Sequence, residues 1–140
     1  MSEKVMENSQ VGVIGKVVSG FTFSHSVFGE GFYLVKIEVV RLSGQVDVLP
    51  LMISERLIDV SCDYAGRTVG AIGQFRSYNR RDGEKNRVEL SVFVREIYFM
   101  KEFTDYTKTN QIFLDGYICK APVYRETPHG REITDLLLAV

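Results

Sequence analysis

A five-stranded all-β barrel of Greek-key order is what this chain of 140 residues predicts. Three observations carry the prediction. Alternating apolar runs recur five times before residue 100, each short enough to be a strand. One helical stretch falls between the third and fourth runs. Glycines break the first run, where a barrel strand has to bend.

The elements follow in order. Val11–Val18 is the first strand, interrupted by Gly12 and Gly15. Ser19–Gly31 is a loop or long hairpin holding Phe21, Phe23 and Phe28. Phe32–Leu42 alternates well: Tyr33, Val35, Ile37 and Val39 share one face, Lys36 and Glu38 the other. After a Ser43-Gly44 turn, Val46–Ile53 is the third strand, and Pro50 pushes it toward an edge or a bulge. Ser54 is placed to cap a helix over Glu55–Ala65 that Gly66 stops. Thr68–Arg76 and Val88–Phe99 are strands four and five. Val69, Ala71, Gly73 and Phe75 face the core from one, and Val88, Leu90, Val92 and Val94 share a face of the other. A five-stranded Greek-key barrel with one helix between strands 3 and 4 is the OB-fold.

Composition sets the limits. Apolar residues make up 45% and charged residues 25%, the balance of a soluble globular protein. No apolar run approaches the roughly 20 residues that span a bilayer, and Met1–Gln10 has no signal-peptide core. Cys62 and Cys119 stand apart, without metal-ligand spacing. They read as free, part-buried thiols in a reducing, cytoplasmic setting. Enzyme signatures are missing: there is no phosphate-binding Gly-x-x-x-x-Gly-Lys loop, no His-x-x-x-His pair and no Cys-x-x-Cys. Glu55, Asp59 and Asp63 read as a solvated helix face. No catalytic residue, metal or cofactor is therefore expected. The net charge of −1 neither requires nor excludes nucleic acid, so local charge decides.

Local charge gathers between strands four and five. Arg76, Arg80, Arg81, Lys85 and Arg87 face only Asp82 and Glu84, about +3 by count, and Asp82-Gly83 is a hairpin-turn dipeptide. If strand four runs on into this hairpin, Ile72, Gln74, Arg76, Tyr78 and Arg80 share its outer face. A sequence-tolerant binder of single strands needs cations for phosphates and flat rings for bases, and an Arg–Tyr–Arg stripe supplies both. Phe23 and Phe28, in the loop between strands one and two, are further candidates for stacking. Arg41, at the end of strand two, is a candidate phosphate contact. His25 reads as a polar loop residue, with base stacking as the alternative.

Past the polar connector Met100–Asn110 the chain starts again. Gln111–Val140 aligns without gaps on Gln10–Val39 at an offset of 101 residues, with Gly116 on Gly15 and Gly130 on Gly29. The expected organisation is a flexible terminus at 1–9, an OB-fold domain at 10–99, a linker at 100–110 and, at 111–140, a β-hairpin forming the first two strands of a second OB-fold. Two strands are at best marginal alone, so the second repeat is expected to continue in a longer protein or to dock on another surface. Its hairpin carries Tyr124, Arg125, His129 and Arg131; Tyr124 and Arg125 join the candidate nucleic-acid contacts.

These residues resemble a family. Asn110-Gln111-Ile112-Phe113-Leu114-Asp115-Gly116-Tyr117-Ile118, then Pro122 to Gly130, then Asp135-Leu136-Leu137-Leu138-Ala139-Val140 are similar to the opening of bacterial single-stranded DNA-binding proteins. The primosomal replication protein N shares that opening. Gly73-Gln74-Phe75-Arg76-Ser77 is similar to the family's Gly-Gln-Leu-Arg-Thr before the hairpin between strands four and five. The resemblance implies a non-catalytic protein of replication, repair or recombination that binds single-stranded DNA. It also implies assembly as a dimer or higher homo-oligomer and contact with replication proteins. Two features depart from it: the chain has no Trp, and the family's acidic partner-recruiting tail is not among these residues. RNA binding by the same surface, or a protein-interaction OB module in a replication or restart complex, are the alternatives.

Overall fold

The computed structural model describes residues 9–101 and 110–140, and for residues 78–82 the backbone alone. The expectations for residues 1–8 and for the connector at 102–109 lie outside the described residues. The first compact unit, Gln10–Ile112, is built from β1 (Ser9–Val17), β2 (Thr22–Val27), β3 (Glu30–Val40), β4 (Val46–Ser54), β5 (Thr68–Asp82) and β6 (Lys85–Met100). The first residues of β7 (Asn110–Leu114) also belong to it. The sheet order is β2-β3-β4-β6-β5-β1-β7, and β1 pairs with β3 as well, so β1, β3, β4, β6 and β5 close a ring. Neighbours in the ring are antiparallel except β4 and β6, which are parallel at Leu51↔Val92 and Met52↔Phe93. This all-β arrangement is consistent with an OB-fold.

Alternation produces the ring's filling. Val13, Ile37, Val39, Leu51, Ile53 and Val69 are almost fully buried, each from the inward-facing set of its strand. Phe75 keeps the inward side, opposite Val92, but remains over a third exposed. β1 turns from β5 to β3 at Lys16 and Val17. Any Cβ at Gly15 would overlap the Glu38 carbonyl oxygen, so the crossing requires a glycine.

The helix expected over Glu55–Ala65 does not form; the segment is a chain of turns, and no helix occurs among the described residues. Side chains take the backbone bonds a helix would use. The Ser54 hydroxyl accepts from the Arg56 amide, Asp59 from the amide and hydroxyl of Ser61, and Asp63 from the Ala65 amide. Such local bonds compete with helix formation. Ile58, Val60, Ser61 and Tyr64 add little helix propensity to oppose them. Ile58 still reaches the core, and Val60 and Tyr64 pack against it. There is accordingly no helix, among the described residues, long and apolar enough to cross a membrane.

The basic hairpin is strand throughout. β5 and β6 pair without a break in chain from Thr68↔Met100 to Asp82↔Lys85. The bulge between Ile72 and Gly73 places its extra residue, Arg95, on β6, so the alternation of β5 is unbroken. The loop residues are Gly83 and Glu84, one step beyond the expected Asp82-Gly83, with Gly83 at φ 64°.

The second unit, holding Phe113–Val140, contains β8 (Tyr117–Ile118), β9 (Val123–Glu126), β10 (Glu132–Asp135) and β11 (Leu138–Ala139). Its pairings parallel those of the first unit. Tyr117↔Ala139 and Ile118↔Leu138 correspond to Lys16↔Glu38 and Val17↔Ile37. Tyr124↔Thr134 and Val123↔Asp135 correspond to Phe23↔Tyr33 and Thr22↔Leu34. The Cys119 amide donates to the Leu137 carbonyl as the Val18 amide does to that of Lys36. A Cβ at Gly116 would overlap the Ala139 carbonyl oxygen, repeating the contact at Gly15.

Candidate nucleic-acid interface

The outer face of the ring holds a row of flat groups. On β3, Val35 and Ile37 point inward, so Phe32 points out; on β6, Val92 and Val94 point inward, so Phe93 points out. The register aligns them: Phe32 lies opposite Ser54 of β4, and Met52, two residues earlier on β4, lies opposite Phe93. The two rings meet across β4 at 5.7 Å, tilted by 32°. Met52, Ser54 and Ser91 share this outward alternation and are nonetheless buried.

A second group covers each ring. His25 of β2 pairs with Phe32 and stacks on it, with centroids 5.0 Å apart and planes 11° from parallel. The Ser24 hydroxyl lies 2.9 Å from its Nδ1. Arg76 of β5 sits diagonally from Phe93, and its Cζ lies 4.2 Å over the ring centre. It also donates to the Gln74 amide oxygen at 2.6 Å. No carboxylate among the described residues takes up its charge. The row therefore reads His25, Phe32, Phe93, Arg76, with the cation at the end where the hairpin begins.

The expected contacts divide around this row. Arg76 belongs to it. Lys85 and Arg87 are exposed on β6, and the backbone of Tyr78, Arg80 and Arg81 continues β5 toward the same tip. The side chains of those three lie outside the described residues. At about 3.3 Å per residue, the hairpin backbone extends roughly 13 Å beyond Arg76 at the Arg80↔Arg87 pair and roughly 20 Å at Asp82↔Lys85. Phe23 lies elsewhere: a register shift between Phe23 and His25 places it opposite Tyr33, edge-on at 5.4 Å and more than half exposed. Phe28 occupies the β2–β3 turn, fully exposed and at φ 49°, a conformation side chains seldom adopt. Phe21 instead packs on the core, edge-on to Tyr64 at 6.0 Å.

Three expected contacts are engaged by neighbouring polar groups. Arg41, at the β3–β4 turn, makes two 2.6 Å bonds to Asp47, which raise its pKa and hold the Asp47 carboxyl below its usual range. Arg125 donates to Asp135 at 2.7 Å, and its pKa is raised likewise. The Tyr124 hydroxyl is 3.1 Å from both Glu126 and Glu132. Burial first, then those two carboxylates, push its pKa up. Cys62 and Cys119 are exposed free thiols, more open than the part-buried setting expected of them. Among the described residues no cluster of His, Cys, Asp and Glu could hold a metal ion.

Phe32 and Phe93 are the members that sequence reasoning left out, and His25 had stacking only as its alternative reading. The alternation carried a signal for Phe93, which breaks the polar outward set of Arg87, Glu89 and Ser91; Phe32 shares its outward set with Leu34 and Val40 and does not stand out. His25 was assigned to a loop because Thr22–Val27 alternates too weakly to stand out as a strand.

No family model matches the chain, and no curated protein does. Solved structures do. A dimeric structure of the N-terminal domain of the PriB protein from Thermoanaerobacter tencongensis is 40% identical, over 69% of this chain and 100% of that one, with a TM-score of 0.59. The single-stranded DNA-binding protein of Thermus aquaticus is 20% identical, over 94% of this chain and 68% of its own, at 0.72. The Plasmodium falciparum SSB, in complex with ssDNA, is 12% identical over 72% of this chain and 100% of its own, at 0.52. The last two are likenesses of fold.

Proposed function

The chain belongs to the family of PriB and single-stranded DNA-binding proteins, and from that premise we propose that it binds single-stranded DNA during replication, by stacking and phosphate pairing and without catalysis. The observation that carries the reading is the row His25–Phe32–Phe93–Arg76. It is a contiguous run of flat groups and ends in a cation that no carboxylate among the described residues takes up. The hairpin beyond supplies Arg80, Arg81, Lys85 and Arg87 for phosphates and Tyr78 for a further base; Phe23 and Phe28, exposed away from the row, are further candidates for stacking. Each phosphate neutralised steepens the fall of log affinity with log salt by about 0.7 on a single strand. The test is anisotropy titration of labelled oligo-dT over a range of salt. Binding whose slope drops by about 1.4 in a Lys85→Ala/Arg87→Ala variant supports the reading; a flat salt dependence in the parent chain overturns it. Competition between matched oligo-dT and oligo-rU decides between DNA and RNA.

The same reading covers the organisation. Residues 111–140 are the first two strands of a second OB-fold, supported by the parallel registers and by both strand-crossing glycines. Completion of that fold would bury Ile118, Leu136 and Val140, which are exposed, whereas their counterparts Val17, Val35 and Val39 are core. Assembly into a homo-oligomer accords with the dimeric PriB domain; a cytoplasmic location is part of the same proposal. For the β9–β10 hairpin a protein contact is the better reading, because Arg125 is paired and Tyr124 stands between carboxylates.

A further inference from the structure

We propose that the surfaces on which bases stack are the imidazole of His25 and the guanidinium of Arg76, and that Phe32 and Phe93 act beneath them as positioning residues. The inference rests on the single-strand reading above. A ring lying against a sheet offers one face to solvent. His25 covers Phe32 at 5.0 Å and nearly parallel, and Arg76 lies 4.2 Å over Phe93, so a base approaching from solvent meets these groups first. Both are exposed, whereas both phenylalanines are only partly so.

Each outer group is also held from the side. Ser24 bonds the imidazole and Gln74 the guanidinium, so neither has to be ordered when a strand arrives. Imidazole and guanidinium planes both stack on bases, and the guanidinium can meet a phosphate at its edge at the same time. The arrangement is particular to the first unit. By sequence offset the second unit has Glu126 and Ile133 where the first has His25 and Phe32, and Ile133 lies opposite Arg125, which is bonded to Asp135, so no stacked ring pair forms there.

The test compares two probes, labelled oligo-dT and an abasic strand of equal length, which keeps the phosphates and lacks the bases. On oligo-dT, His25→Ala and Arg76→Lys each weaken binding about fivefold or more. On the abasic strand His25→Ala changes it less than about twofold, since no phosphate contact is lost. His25→Phe, which keeps a plane at that position, restores oligo-dT binding. Equal losses on both probes, or no loss on either while the parent chain binds oligo-dT, overturn this inference alone. A parent chain that fails to bind oligo-dT overturns the single-strand reading as well.

Discussion

Replacing Phe93 with leucine separates the row's shape from its electronic character. Phe93 is the hinge of the row: it touches Phe32 across β4 and carries Arg76 on its face. Leucine keeps most of the apolar volume over Met52 but has no ring quadrupole. The cation–π contact at such an open site is worth about 0.5–1 kcal/mol, and the ring pair adds about 0.5–1.5 kcal/mol. A stability loss of about 1–2 kcal/mol follows, lowering Tm by roughly 4–15 °C for a domain of this size. For binding, the loss is the ordering of Arg76 and the support of Phe32, a part of the roughly 1–3 kcal/mol that each stacked base contributes. Affinity for oligo-dT should drop about 5- to 10-fold. The salt slope should not move, because every cation remains. Thermal melts and anisotropy titrations at several salt concentrations, on the same preparation, read all three quantities. A leucine variant that binds within twofold of the parent, or whose salt slope falls by a full phosphate, refutes the assignment of Phe93 to the stacking row.

Three other perturbations address separate parts of the molecule. Gly15→Ala forces a Cβ onto the Glu38 carbonyl, and an overpacking cost of at least about 1–3 kcal/mol should appear as a lower Tm. An unchanged melt would show that the seam yields. Phe28→Asn should raise stability by up to about 1 kcal/mol, because asparagine suits the left-handed turn position before Gly29. If Phe28 touches the strand, the same variant should bind oligo-dT more weakly, so denaturation and anisotropy should move in opposite senses. Asp47 has a folded pKa below its unfolded value of about 3.9, so its pairing with Arg41 is fully stabilising above that value and is lost as pH falls through the folded one. Asp47→Asn should therefore lose less stability than the parent chain between about pH 5 and pH 2, and equal losses would place the acid sensitivity elsewhere.

Much of the ring was legible because alternation is a local property. Val35, Ile37 and Val39, or Val92 and Val94, declare their side of a strand without reference to anything distant. The same parity placed Arg76 outward. The helix misled because Ser54, Asp59 and Asp63 fit a capped, solvated helix as well as a string of side-chain turns, and only the backbone decides between them. The row was hidden for another reason. Phe32 and Phe93 are far apart in sequence, and what joins them is the register of β3 on β4 and of β4 on β6, which no local pattern encodes. Arg41 and Arg125 show the converse: sequence gives a charge, but not the carboxylate that folding brings within 3 Å of it.

The parallel contact between β4 and β6 joins the ring through only Leu51↔Val92 and Met52↔Phe93. Those pairs are distant in sequence, whereas the β3–β4 and β5–β6 hairpins are local. The hairpins should therefore form before this clasp. A strand laid along Phe32 and Phe93 would bridge both sides of the clasp from outside. Bound DNA would then act as a splint on this two-pair joint. Its effect should be visible as slowed amide hydrogen exchange at Leu51 and Met52, beneath the strand, while the β5–β6 ladder exchanges as before.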